Sequence, residues 1–124
     1  MIRRTLGVWR RILMACGLAA LSAQASFAET ISTVSMRPIE RYSSEKCLVL
    51  EANKPVQWAF RSPYSVNFNV HVHTDEGTVY PEKDDAVTSG SGTLLSQETV
   101  EHCFMWTATV PTTDPWAIEF SITQ

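Results

Sequence analysis

The sequence contains no Gly-rich phosphate loop, no Gly-x-Ser-x-Gly elbow and no His-Glu-x-x-His pattern. It therefore lacks the usual signatures of nucleotide binding, of α/β-hydrolase chemistry and of zinc proteases. Basic charge is also scarce, with ten Lys and Arg against thirteen Asp and Glu. A phosphate-binding surface needs clustered cations, so this balance argues against nucleic acid as a partner. No apolar run reaches the ~20 residues of a membrane-spanning helix, and there is no internal repeat and no Asn-x-Ser/Thr acceptor. At 124 residues the chain has room for one domain, too little for a nucleotide-binding domain with a separate substrate domain.

No acidic residue precedes Glu29, while Arg3, Arg4, Arg10 and Arg11 crowd the first eleven positions. An apolar run from Ile12 to Leu21 follows, and the small residues Ser22, Ala23, Ala25, Ser26 and Ala28 close the segment. A basic start, a short apolar stretch and small residues before a cleavage point are the parts of a secretory signal. The expected division is a cleaved signal peptide over residues 1–28 and a single domain over residues 29–124, placing the mature protein in a periplasm or outside the cell. Stable membrane insertion after cleavage is not expected. Removing the four leading arginines leaves six Lys and Arg against thirteen Asp and Glu, a formal charge of −7 for residues 29–124. Such a charge favours solubility and attracts cations without selecting one.

Within residues 29–124 the dominant period is two. Val56–Phe60, Val66–His73 and Trp116–Ile122 each alternate apolar with polar or small residues, the pattern of half-buried antiparallel strands. Thr30–Met36, Cys47–Glu51, Thr78–Tyr80, Thr93–Ser96 and His102–Val110 are further strand candidates. Asn53-Lys54-Pro55, Ser62-Pro63, Asp75-Glu76-Gly77 and Thr113-Asp114-Pro115 carry turn chemistry. Glu82–Asp85 with Ser89-Gly90-Ser91-Gly92 reads as a mobile acidic loop. No amphipathic helix stands out. The predicted fold is all-β, an antiparallel β-sandwich of seven or eight short strands.

The domain retains two cysteines, Cys47 and Cys103. An even pair in a small exported domain favours a disulfide, and two free thiols acting as metal ligands are the rival reading. His71 and His73 lie two apart on the most regular strand, so they share a face with Cα atoms about 6.5–7 Å apart. Val66, Phe68, Val70 and Val72 take the opposite, core-facing side. Parity sets Cys103 and Met105 opposite Phe104 and Trp106, and it sets His102 with the core residues. If the strands are neighbours, His71, His73 and Met105 form a site of two imidazoles and a thioether, which His102 joins only through a bulge. That donor set suits copper, as Cu(I) or Cu(II), better than calcium or magnesium. The competing reading is a solvated strand face with Met105 filling a gap. Trp58, Trp106 and Trp116 all have core-facing parity.

The order of features resembles the GOLD-type β-sandwich of Golgi-dynamics proteins. The resemblance rests on Lys46-Cys47-Leu48-Val49-Leu50, Val66-Asn67-Phe68-Asn69-Val70, Gly77-Thr78-Val79-Tyr80 and His102-Cys103-Phe104-Met105-Trp106. It covers roughly Cys47 to Ile122 and implies a jelly-roll-like sandwich bridged from Cys47 to Cys103. Family members carry a transmembrane helix, a coiled coil and a cytoplasmic tail, none of which is recognisable here, so their cargo-receptor activity is not carried over. Two functions follow as expectations, and neither is an enzyme. One is an exported protein that handles or sequesters copper; the other is a GOLD-type module that binds a protein or ligand without metal.

Overall fold

The computed structural model describes residues 28–124. The expected signal peptide lies outside these residues except for Ala28. Ala28 exchanges both backbone hydrogen bonds with Gln124, next to the first rung of the sheet. Six strands make up the described residues: β1 (Glu29–Met36), β2 (Ser43–Leu50), β3 (Val56–Thr74), β4 (Gly77–Leu94), β5 (Val100–Ala108) and β6 (Trp116–Thr123). Every pairing is antiparallel, and the strand order is β1-β6-β3-β5-β2, with β4 along the other edge of β3.

β3 turns this single sheet into a sandwich. Its first half, Gln57 to Arg61, pairs with β6, and its second half, Val66 to His71, pairs with β5. Between them the register to β4 slips, with Ser62–Ser65 opposing Thr88 alone. The chain bends at this point, and one strand serves both layers. Backbone and hydroxyl groups hold the corner. Ser62 Oγ donates to the Tyr64 carbonyl, and Thr109 Oγ1 donates to the Ser65 carbonyl at 2.9 Å.

Folding the sheet brings β5 and β6 face to face although they are not hydrogen-bonded partners. Phe120 of β6 packs tilted against Phe104 at 4.9 Å and edge-on against Trp106 at 5.1 Å, centroid to centroid. Trp58, Phe60 and Phe68 from β3 complete the aromatic centre, with Val34, Met36, Leu50, Ile118 and Ile122 around it. The even-numbered residues of β3 from Val56 to Phe60 and from Val66 to Val72 are all buried. The alternation seen in the sequence is thus the partition between core and surface. Trp58 and Trp106 are in the core as their parity requires, and Trp116 packs at its margin.

The strand count is six, not seven or eight. Val56–Phe60 and Val66–His73 are one strand because Ser62-Pro63 forms the corner within β3, where a proline is tolerated at an irregular pairing. Thr78–Tyr80 and Thr93–Leu94 are likewise the two ends of β4. The residues between them, read from the sequence as a mobile acidic loop, are paired strand: Ser89, Gly90, Ser91 and Gly92 oppose Arg61, Phe60, Ala59 and Trp58. The glycines serve close approach. A Cβ on Gly90 would lie 2.6 Å from the Phe60 ring, and one on Gly92 would lie 2.8 Å from the Trp58 indole. Composition alone reads as flexibility a segment whose glycines are flattened under aromatic rings.

Candidate metal centre

The outer face of the β2-β5-β3 layer carries polar side chains in cross-strand rows. Cys47 of β2 faces Cys103 of β5, and Cys103 faces His71 of β3. One row along, Glu45 faces Met105 and Met105 faces Asn69. His73 lies beyond His71 on the same face. The two cysteines form a disulfide with their Cα atoms 4.0 Å apart. From this pair each neighbouring outward residue of the face follows in steps of two along its strand.

His71 is the centre of this surface. It points away from the core yet is only 7% exposed. The Tyr80 and His73 rings cover it, at centroid distances of 6.0 and 5.0 Å. Tyr80 gains this position because β4 bulges opposite His71: Val70 pairs with Glu82 and Val72 with Val79, so Tyr80 and Pro81 share one place in the ladder. His71 Nδ1 lies 2.8 Å from Asn69 Oδ1. With the amide oxygen accepting, Nδ1 carries the ring proton and Nε2 of the neutral ring bears the lone pair. Nε2 then faces Glu45 Oε2 at 3.7 Å. Two acceptors facing each other repel, and a metal ion between them would turn that repulsion into attraction.

His73 is more exposed, with Nδ1 3.4 Å from Thr78 Oγ1. Met105 is half-buried one row from His71, a diagonal step of roughly 7–8 Å between backbones, within reach of a long side chain. The structure therefore places His71, His73 and Met105 on one face. It does not bring His102 to them. β5 pairs with β2 without a bulge, so His102 opposes Leu48 on the other side of the sheet, buried, with Nδ1 3.1 Å from the Val100 carbonyl. His102 is a buried histidine on the core-facing side of β5, beside an open surface groove lined by Val72, Val79 and Leu95.

Glu45 is the residue that reading the sequence missed. It sits two before Cys47, and a Cys47–Cys103 pair directly opposed on antiparallel strands would have set it across from Met105. The described residues contain two groups of close potential ligand atoms: Glu45, His71 and Cys103, and Cys47, Glu101 and Cys103. Both groups include sulfur held in the disulfide, and His73 belongs to neither, so in this oxidised form the close pair of free donor groups is the His71 imidazole and the Glu45 carboxylate.

No protein-family model matches the chain, and no curated protein matches it. Among solved structures, one chain from the structure of the infectious bursal disease virus Gx strain aligns at 11% identity with a TM-score of 0.29. The alignment covers 78% of this chain and 32% of the viral chain, so this chain spans about a third of the length of that one.

No helix of the described residues is long and apolar enough to cross a membrane.

Proposed function

We propose that this is an exported copper-binding protein whose site is built on His71, with His73, Glu45 and Met105 as further ligands. One observation carries the reading: His71 Nδ1 is committed to Asn69, so Nε2 faces the Glu45 carboxylate at 3.7 Å with a second imidazole beside it. An outer hydrogen bond that fixes the tautomer and aims the other nitrogen is the usual support of a metal-bound histidine. Two imidazoles with a thioether favour copper over hard cations, and the carboxylate extends the site to Cu(II). The disulfide supports an oxidising compartment, in keeping with the secretory signal expected over residues 1–28. Copper handling or sequestration is the role such a site would serve.

The test is titration of the isolated protein with Cu(II). A stoichiometric site is expected, weakened in His73→Ala and abolished in His71→Ala. A response no stronger than that of the double variant His71→Ala/His73→Ala would end the copper reading and leave the GOLD-type binding module as the account of this surface.

A further inference from the structure

Beyond its cross-link, the disulfide ties up the Cys103 sulfur that both groups of close potential ligand atoms among the described residues share. Cys47, Cys103 and His71 form one continuous row across three adjacent strands. Sulfur of Cys103, the His71 imidazole and the Glu45 carboxylate offer atoms within 4.8 Å of one another. The bridge is reachable at one end: Cys103 is only 4% exposed, whereas Cys47 lies at the surface on β2. An attacking thiolate thus has access to Cys47 sulfur, with Cys103 as the buried leaving group beside His71.

We infer that the Cys47–Cys103 disulfide is a redox lock on a second mode of copper binding, in which the reduced chain holds Cu(I) through both thiolates and His71. The inference rests on the copper reading above for its metal but uses a donor set that the oxidised chain does not have. A dithiol reductant supplies the electrons. Its first thiolate attacks Cys47 sulfur and releases Cys103 as a thiol; its second closes the reductant's own disulfide and releases Cys47. The protein gains two electrons and two protons, and the reductant loses both. Cu(I) then displaces the two thiol protons to solvent and bonds to both sulfurs.

The geometry needs no rearrangement of the strands. The β2-β5 ladder runs from Ser43 opposite Thr107 to Leu50 opposite Val100 through backbone pairing on both sides of the bridge, so the sulfurs stay opposed when the bond between them is cut. Directly opposed residues keep their Cβ atoms roughly 4.5–5.5 Å apart. Two freed sulfurs can then flank one ion at metal–sulfur distances of about 2.3 Å. Thiolates are soft donors and select Cu(I). His71, next in the row, is the third ligand.

The probe is Cu(I), added without oxygen to the protein after dithiol reduction and removal of the reductant. Both thiols are expected to lose their reactivity towards a maleimide on addition of Cu(I), with a thiolate-to-copper absorption band in the ultraviolet and an unchanged near-ultraviolet circular dichroism from the tryptophan core. His71→Ala should release the copper to a competing chelator at a lower chelator concentration than the parent. The oxidised protein and the variant Cys47→Ser/Cys103→Ser should lack the band. Thiols that stay reactive in the presence of Cu(I) would overturn the inference. So would a reduced protein that loses its near-ultraviolet signal, or copper retention indifferent to His71. A separate pattern isolates the earlier reading: oxidised protein that ignores Cu(II), with reduced protein that passes every test, would discard the oxidised site and keep this one.

Discussion

His71 satisfies two demands with one ring. Its Nδ1 is tied to Asn69 two residues earlier on the same strand, and its Nε2 is left facing Glu45 from two strands away. The local partner is available to any Asn-x-His on one strand face, because residues two apart point the same way. The distant partner depends on β2 and β3 flanking β5 in one register. A mutation at Asn69 therefore separates orientation from ligation. Asn69→Ala should leave the fold intact and weaken Cu(II) about 10–100-fold, the usual cost of losing an outer hydrogen bond to a metal-bound histidine. Competition titration against a chelator of known affinity measures it. Glu45 is half exposed at its side chain, so replacing it by Gln should weaken binding less than replacing His71, while leaving thermal stability nearly unchanged.

β4 is the element whose behaviour differs most from its composition. It contains Pro81, a cluster of acidic residues, Gly90 and Gly92, and still runs beside β3 for the length of both layers. Each irregularity has a place. Tyr80 and Pro81 form the bulge opposite His71, and Asp85 and Ala86 form a second one opposite Asn67. Ala86 there adopts a positive φ of 54° and donates its N–H to Asn67 Oδ1 at 2.9 Å. The bulges let one strand follow the corner of another, and they disrupt the edge that β4 exposes to pairing with other chains. At Gly90 the constraint is volume. Gly90→Ala places a methyl group against the buried Phe60 ring, an overpacking expected to cost about 1–3 kcal/mol. In a domain of this size each 1 kcal/mol lowers Tm by roughly 4–8 °C, readable in a thermal melt. A melt unchanged by this substitution would mean that Phe60 can move aside.

The whole molecule closes in two ways. β1 pairs with β6, so Glu29 meets Thr123 and the two ends of the described chain share one edge. The disulfide adds a link across a sequence separation of 56 residues. Loop-closure entropy for that separation gives an upper figure of about 4 kcal/mol for the bridge. Cys47→Ser/Cys103→Ser should therefore unfold at a lower denaturant concentration than the parent, with the slope changed little if the denatured state stays comparably open. If the reduced protein binds Cu(I) as inferred, the metal should recover part of that loss, since a ligand of the folded state stabilises it by about 2.7 kcal/mol at a hundredfold excess over Kd. Comparing denaturation of the reduced protein with and without Cu(I) measures the recovery.

The alternation of β3, β5 and β6 was legible along the sequence, since burial there follows chemical type at every second residue and period two needs no tertiary information. The same parity set His71, His73 and Met105 apart from the core and placed His102 within it. The cysteine count pointed to the bridge that Cys47 and Cys103 form. Other features depended on what lies across the sheet. Whether Ser62-Pro63 ends a strand or bends one is decided by β4 and by Thr109 holding the Ser65 carbonyl. Whether Gly90 and Gly92 are loose or flattened is decided by the rings of Phe60 and Trp58 above them. The burial of His71 comes from Tyr80 and His73, and its Glu45 partner comes from the registers of β2 and β3 on β5, the one strand between them. The sequence determines which side of its strand each residue occupies, because that is a property of the local backbone. The tertiary structure decides which residues meet there, because strand order and bulges are set by packing over the whole chain.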